Sequence, residues 1–306
     1  HKTIITDKGN YDYDSLVITL GSSGNVPPIP GVELENCFPV RNVADADKIR
    51  RLSGDGKKCT IIGGGLLGLE MAWAIKQLGC DVNVIHNSSR LLPNQIDEEG
   101  AKLLYREISG KGIKIYLNSQ VQEIAGDTGA EYVKLSDGTK IESDFVILSV
   151  GVRANIQPLA GSGINIGRSV IVDEHMRTNI EGVYAAGDIA EYKGKSYGIW
   201  PIAVEQGKIA GANAAGGKAE YSEIHPYTSL KIKGITMFSI GDVFSEDSLP
   251  VVEADFESGR YIKLLIKNGI ITGAVVFGDP SLPMKIKKAV DNRVKLPEIK
   301  EGIAIK

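Results

Sequence analysis

The chain has 306 residues, of which 42% are hydrophobic and 24% charged, and its formal net charge is −3. That length accommodates two or three domains of ordinary size. The balance is that of a globular protein, and with no basic run it leaves no electrostatic footprint for nucleic acid or an anionic membrane surface. No apolar stretch approaches the roughly 20 residues of a membrane span. The three cysteines, Cys37, Cys59 and Cys80, form no CxxC and read as small buried hydrophobes of a reduced, cytoplasmic protein. Glycine is abundant, at 36 residues, which suits backbone that must approach a ligand or take positive φ.

Read along the chain, Lys2–Thr6 is expected to be a strand, and YDYDSLVITL (11–20) ends in a buried one. Gly21–Gly24 should break it, and NVPPIPG, with three prolines, should be a linker. A short helix is expected over Ala44–Leu52, a strand over Lys58–Ile62, a helix running from the GGGLLGLE turn through Leu78, and a strand over Asp81–His86. Leu67, Met71, Ile75 and Leu78 fall at helical spacing and mark that helix's expected buried face. This is a β-α-β unit, hence parallel and right-handed. A helix over Asp97–Gly110 precedes a small antiparallel meander of Val121–Ala125, Tyr132–Leu135 and Lys140–Glu142, with a turn at Asp137–Gly138, and then the strand Phe145–Val150. Strands at Val170–Asp173 and Gly182–Ala186 and a close-packing Ala/Gly helix over Pro201–Ala215 follow. After a composition change at Glu220–Pro226, strands at Ser229–Ile232, Thr236–Ile240, Tyr261–Lys267 and Ile270–Phe277, a hairpin turn at Asn268–Gly269 and a helix over Leu282–Val290 predict an α+β domain.

Gly63-x-Gly65-x-x-Gly68 lies between strand and helix, the context that makes this motif informative. Gly63 permits the tight turn, Gly65 lets backbone approach a pyrophosphate, and Gly68 lets helix pack on strand, while the amides of Leu66 and Leu67 begin the anion-binding helix end. An acidic residue closing the second strand would hold the ribose hydroxyls of NAD, but this chain has His86, followed by Asn87, Ser88, Ser89 and Arg90. Arg90 and the serines either hold the 2′-phosphate of NADP or form a solvated loop, so NADH and NADPH are not distinguished. Glu70, in the first turns of the helix, is favourable there through the helix dipole alone.

GGGLLGLE, ITLGS (18–22), GVRAN (151–155) and TNIEGVYAAGD (178–188), in this order, resemble the pyridine nucleotide–disulfide oxidoreductase superfamily over essentially the whole chain. SYGIWPIAVEQGKIAG (196–211) and KIKGITMFSIGD followed by AVVFGD make it most similar to rubredoxin reductases and the flavoprotein part of NAD(P)H nitrite reductases. The resemblance implies two Rossmann-like dinucleotide-binding domains plus a C-terminal α+β domain. The FAD-binding domain would take 1–40 and 153–220, the NAD(P)-binding domain 41–152 and the last domain 221–306. A first glycine turn, holding the ADP part of FAD, would lie upstream, leaving the flavin domain here incomplete. The resemblance assigns Gly21, Gly187, Asp188 and Trp200 to FAD, with Asp188 on the ribityl chain. It assigns Gly63, Gly65, Gly68 and Gly151 to NAD(P)H, beside which Leu66, Leu67, His86 and Arg90 are the motif's own candidates, and it gives Glu70 a catalytic place beside the flavin and nicotinamide. The implied activity is hydride transfer from NAD(P)H to FAD, then electron passage to a redox-protein or metal-centre acceptor. NADH oxidase or coenzyme A-disulfide reductase activity, and an inactive dinucleotide-binding fragment, are the alternatives. The last domain resembles one that often forms dimer contacts. The usual GVRPN carries Ala154 in place of proline.

Overall fold

A computed structural model describes residues 2–222 and 225–295. The composition change expected at Glu220–Pro226 thus lies partly outside the described residues. The chain divides into two compact units. One takes the residues up to Ser23 together with the segment from Val152 onward. The other takes Gly24–Gly151 together with the chain from His225.

The second unit is organised by a five-stranded, all-parallel sheet in the order Cys37–Pro39, Phe145–Leu148, Lys58–Ile62, Asp81–Ile85, Lys114–Tyr116. Its central strands are the near-continuous apolar runs that a sheet covered on both faces requires: Cys59, Ile61, Val84 and Phe145–Ile147 are fully buried. The buried hydroxyls of Thr60 and Ser143 bond to each other rather than remain unpaired. Cys37, Cys59 and Cys80 are buried free thiols. Burial lifts the Cys37 thiol to about 12, which keeps it protonated and unreactive. The antiparallel meander forms as expected, Val121–Ala125 pairing with Tyr132–Leu135 and that strand with Lys140–Glu142.

The helix Leu66–Lys76 covers this sheet, but through a different face from the one its leucines suggest. Gly68, Leu69, Ala72 and Ile75 are buried, whereas Leu67 and Leu78 are 48% and 42% exposed. Close approach decides this: a Cβ on Gly68 would collide with the Gly63 carbonyl oxygen, so small residues occupy the contact line. The helix also ends at Lys76, short of Leu78.

A second five-stranded sheet, wholly antiparallel, runs in the order Tyr227–Ser229, Met237–Gly241, Ile270–Phe277, Arg260–Lys267, Leu249–Asp255. Its strands alternate between two cores, as period-two patterning requires. Phe238, Ile262, Leu264 and Val276 face the helix Pro283–Asp291. Met237, Tyr261, Leu265, Val275 and Phe277 join Leu104 and Ile108 of the helix Glu98–Gly110, in the same core as Ile61 and Val84. Both sheets therefore share one hydrophobic cluster. Two details differ from expectation. The strand placed at Ser229–Ile232 lies at Tyr227–Ser229, while Leu230 and Ile232 are buried without a ladder. Leu249–Asp255 was not anticipated, because Pro250 and two acidic residues disguise an edge strand. The hairpin at Asn268–Gly269 does form, both residues having positive φ.

The other unit contains four two-stranded ladders: Thr3–Thr6 with Gly9–Asp12, Leu16–Ile18 with Val183–Ala185, Val170–Val172 with Ala190–Tyr192, and Ser22–Gly24 with Val152–Ala154. Ser22 and Ser23, expected to lie in a break, are thus paired. The helix Trp200–Ala214 packs Ile202, Ile209 and Ala210 into a core with Ile18, Val183 and Ala185.

Candidate functional site

Two clefts open at the ends of parallel strands, one in each unit. In the larger unit, Lys58–Ile62 runs into the glycine turn, and a cleft of about 840 Å³ lies over it, lined among others by Gly63, Gly65, Leu66, His86, Asn87 and Gln120. Gly63 has φ +121°, and any Cβ there would collide with the Ser149 carbonyl, so only glycine fits. Gly65 caps the helix with no side chain, and a Cβ on it would meet only open space. The first-turn amides of Leu66 and Leu67 have no helical carbonyl within reach. An uncapped helix end beneath a glycine-cleared opening fits a dinucleotide pyrophosphate.

The remaining residues singled out around this turn divide. His86 lines the cleft, and its Nδ1 accepts from the Gly64 N–H at 3.2 Å. Burial lowers its pKa from the ordinary imidazole value. Arg90 does not line the cleft: its Nη2 donates to the Pro93 carbonyl at 3.2 Å and its guanidinium lies 5.8 Å from the Phe244 ring centroid. Gly151, with φ +88°, accepts from Asn25 N–H at 2.9 Å. Glu70 is turned toward the C-terminal region, where Oε1 accepts from Lys231 N–H at 2.8 Å. No charged side chain lines this cleft among the described residues.

In the smaller unit, the strand Val183–Ala185 delivers a tight turn at Gly187–Ile189, and a cleft of about 500 Å³ is lined by Ser22, Asp188, Ser196 and Tyr197 among others. Ser22 Oγ donates to Asp188 Oδ2 at 2.6 Å, which joins the ends of the two paired parallel strands. Gly187 has φ +82°, and its N–H donates to Gln206 Oε1 at 2.9 Å. Gly21 has φ +65°, and Asn155 holds its turn, with backbone N–H to the Gly21 carbonyl at 3.0 Å and Nδ2 to the Leu20 carbonyl at 2.8 Å. Trp200 opens its helix and is 82% exposed. A carboxylate held at a strand end beside hydroxyls, with a glycine clearing the approach, fits a polyhydroxyl chain such as ribityl.

Gln206 and Asn155 were missed as individual residues. Asn155 lay within GVRAN. Gln206 carried a signal of its own: a polar residue on the helical stripe Ile202, Gln206, Ile209, Asn213 must bond to something, and its amide holds the Gly187 turn.

A parallel sheet whose central strand turns through glycines into a helix end is a dinucleotide-binding fold of the Rossmann type. The chain belongs to the pyridine nucleotide-disulphide oxidoreductase family, matching it over residues 1–207, and residues 226–294 match the rubredoxin NAD+ reductase C-terminal domain. It is 36% identical to a nitrite reductase [NAD(P)H] of Bacillus subtilis (strain 168), covering 97% of this chain and 37% of that protein. It is 36% identical to an NADH-rubredoxin oxidoreductase of Clostridium acetobutylicum, covering 96% of this chain and 73% of that protein. The crystal structure of NADH:rubredoxin oxidoreductase from Clostridium acetobutylicum superposes with a TM-score of 0.77 at 33% identity, covering 99% of this chain and 78% of that one. The chain thus spans little more than a third of the nitrite reductase and about three quarters of the rubredoxin oxidoreductase.

Proposed function

We propose that the chain works in an FAD-dependent NAD(P)H oxidoreductase, in which hydride passes from NAD(P)H to FAD and electrons then reach a redox-protein or metal-centre acceptor. The observation that carries this reading is the pairing of two differently equipped strand-end clefts in one chain: an uncapped glycine turn in one and a carboxylate held by a hydroxyl in the other. The names of the relatives, NADH-rubredoxin oxidoreductase and nitrite reductase [NAD(P)H], support the reading and the class of acceptor.

When bound, flavin supplies the conversion of a hydride pair into single electrons. The protein's own residues bind and orient. Gly63, Gly65, Leu66, Leu67 and Gly68 receive the pyrophosphate of NAD(P)H, and Gly151 supports the cleft through Asn25. Asp188 accepts hydroxyl hydrogen bonds from the ribityl chain, positioned by Ser22. Gly21 and Gly187 clear the approach, and Trp200 contributes exposed aromatic surface at a helix N-terminus. Glu70 orients the nicotinamide, for which it exchanges its bond to the Lys231 amide. The corresponding division is an FAD-binding part in 1–23 and 152–222, an NAD(P)-binding part in 24–151 and a C-terminal domain from 225; the segment 24–40, expected in the flavin part, goes with the parallel sheet through the strand Cys37–Pro39.

Anaerobic addition of NADH to the FAD-loaded protein should bleach the visible flavin absorption, and the reduced protein should reduce rubredoxin faster than it consumes oxygen. Flavin that stays oxidised in the presence of bound NADH would contradict the reading.

A further inference from the structure

Granting that the larger cleft takes a dinucleotide, one of its residues faces the wrong way for its usual task. His86 follows the strand Asp81–Ile85, where a side chain ordinarily reaches out to the adenosine ribose. Its ring is turned back onto the glycine loop, and Nδ1 accepts the Gly64 N–H at 3.2 Å. The packing is close: a Cβ on Gly64 would lie 3.0 Å from His86 Cγ and 2.8 Å from Leu91 Cδ2. The His86 backbone is fixed on both sides, its N–H donating to the Tyr116 carbonyl at 2.8 Å and its carbonyl accepting from Ser119 N–H at 3.0 Å. Ring and loop are therefore coupled.

An imidazole that accepts at Nδ1 must be neutral and carry its proton on Nε2. Nε2 is buried and without a partner among the described residues, so no carboxylate stands ready to stabilise the charged form. The charged and titratable groups nearby do not supply one either. Arg90 is turned to Pro93 and Phe244, and Tyr116 meets His86 through its backbone carbonyl. Burial accordingly lowers the ring's pKa. Protonation would place a second N–H at Nδ1, opposite the N–H of Gly64, and replace a hydrogen bond by two facing donors.

We propose that His86 is a positioning residue of the glycine loop, which it holds in the phosphate-receiving conformation only while its ring is neutral, and that it does not read the ribose. Two consequences separate this from a ribose-reading histidine. Dinucleotide affinity declines with acidity. Replacement of His86 affects cofactors with and without a 2′-phosphate alike. The sign follows from the hydrogen bond: affinity is constant while the ring of the free protein is neutral and declines once pH falls below its pKa, which burial holds under the ordinary imidazole value.

The test is calorimetric titration of the protein with NAD+, which is stable in acid, from pH 7.5 to 5, and with NADP+ at pH 7.5. The native protein should weaken toward NAD+ with a limiting slope of about tenfold per pH unit, the signature of one proton. His86→Asn, whose amide oxygen stands near the Nδ1 position and has no proton to gain, should bind NAD+ within about threefold of the native value at pH 7.5 and show no such slope. His86→Leu should lose about tenfold for NAD+ and NADP+ equally. A pH-independent native affinity, a slope that persists in His86→Asn, or a loss in His86→Leu confined to one cofactor would overturn the proposal. Absence of NAD+ binding by the native protein at pH 7.5 would instead bring down the dinucleotide reading itself, and this proposal with it.

Discussion

The two units solve the same local problem, a polar turn presented at the end of a parallel strand, with very different support. The Gly63–Gly68 turn stands on five parallel strands whose core continues into a second five-stranded sheet. The Asp188 turn stands on a parallel ladder of two short strands, Leu16–Ile18 and Val183–Ala185. That ladder shares a core with the helix Trp200–Ala214, and side-chain amides add to the positioning of its turns. Asn213 receives the Ala219 N–H at 2.7 Å and donates to the His175 and Ala219 carbonyls at 2.9 and 2.8 Å. Gln206 holds Gly187, and Asn155 holds the Gly21 turn. One turn is fixed by backbone sterics over a large apolar core, the other by hydrogen bonds to side-chain amides over a smaller one, with Gln206 and Asn213 buried. The first should fail on methyl groups added at Gly63 and Gly68, and the second on loss of the amides that hold it.

The comparison is most sharply tested at Gly63. Gly63→Ala introduces a Cβ into the Ser149 carbonyl at positive φ, so NAD+ affinity should fall by at least about a hundredfold, roughly 3 kcal/mol, while flavin binding persists. Calorimetry with each cofactor separates the two. Next in size is Asn213→Ala. It leaves the His175 carbonyl and the Ala219 amide without this partner, while the Ala219 carbonyl keeps His175 Nδ1 at 2.8 Å, and should cost about 2–4 kcal/mol of stability in the smaller unit, seen as earlier loss of hydrogen-exchange protection there than in the parallel sheet.

A smaller effect belongs to the joint between the two sheets. Asp97 caps the helix Glu98–Gly110 through Gly100 N–H at 3.2 Å, and accepts from Tyr261 Oη at 2.6 Å and Lys263 Nζ at 2.9 Å. Burial alone would raise its carboxyl pKa, but these hydrogen bonds outweigh burial and leave it below the ordinary value. The contribution is present in full above about the ordinary 3.8 and is lost as pH falls through the lower folded value. Asp97→Asn keeps the cap and removes the charge, so it should cost about 1–3 kcal/mol near neutrality and abolish this part of the acid sensitivity. Denaturant midpoints at pH 7 and pH 3 measure both. A midpoint difference between those pH values equal to that of the native protein would refute the assignment.

Much of this was legible in the sequence, and the gaps have identifiable causes. The central strands were legible because full burial leaves an unbroken apolar run, as in Lys58–Ile62 and Ile270–Phe277, whose ends fall as read. The glycine turn was legible because sterics admits one residue type at Gly63. The contact face of the following helix was misread because large side chains draw attention while Gly68 and Ala72 make the contact. The short ladders of the smaller unit were only partly legible, since three-residue strands such as Ala190–Tyr192 carry too little pattern to register. The ties of Glu70 to Lys231, of Arg90 to Phe244 and of His86 to Gly64 join residues between 22 and 161 positions apart, and no local periodicity encodes them.

The central claim is that one chain carries two separate nucleotide sites resting on different supports. Parallel titrations of the native protein, Gly63→Ala and Asp188→Ala with FAD and with NAD+ address it most directly. The account predicts that Gly63→Ala loses NAD+ and retains FAD, while Asp188→Ala loses FAD and retains NAD+. Loss of the same cofactor from both variants, or undiminished binding of both cofactors in each, would contradict it.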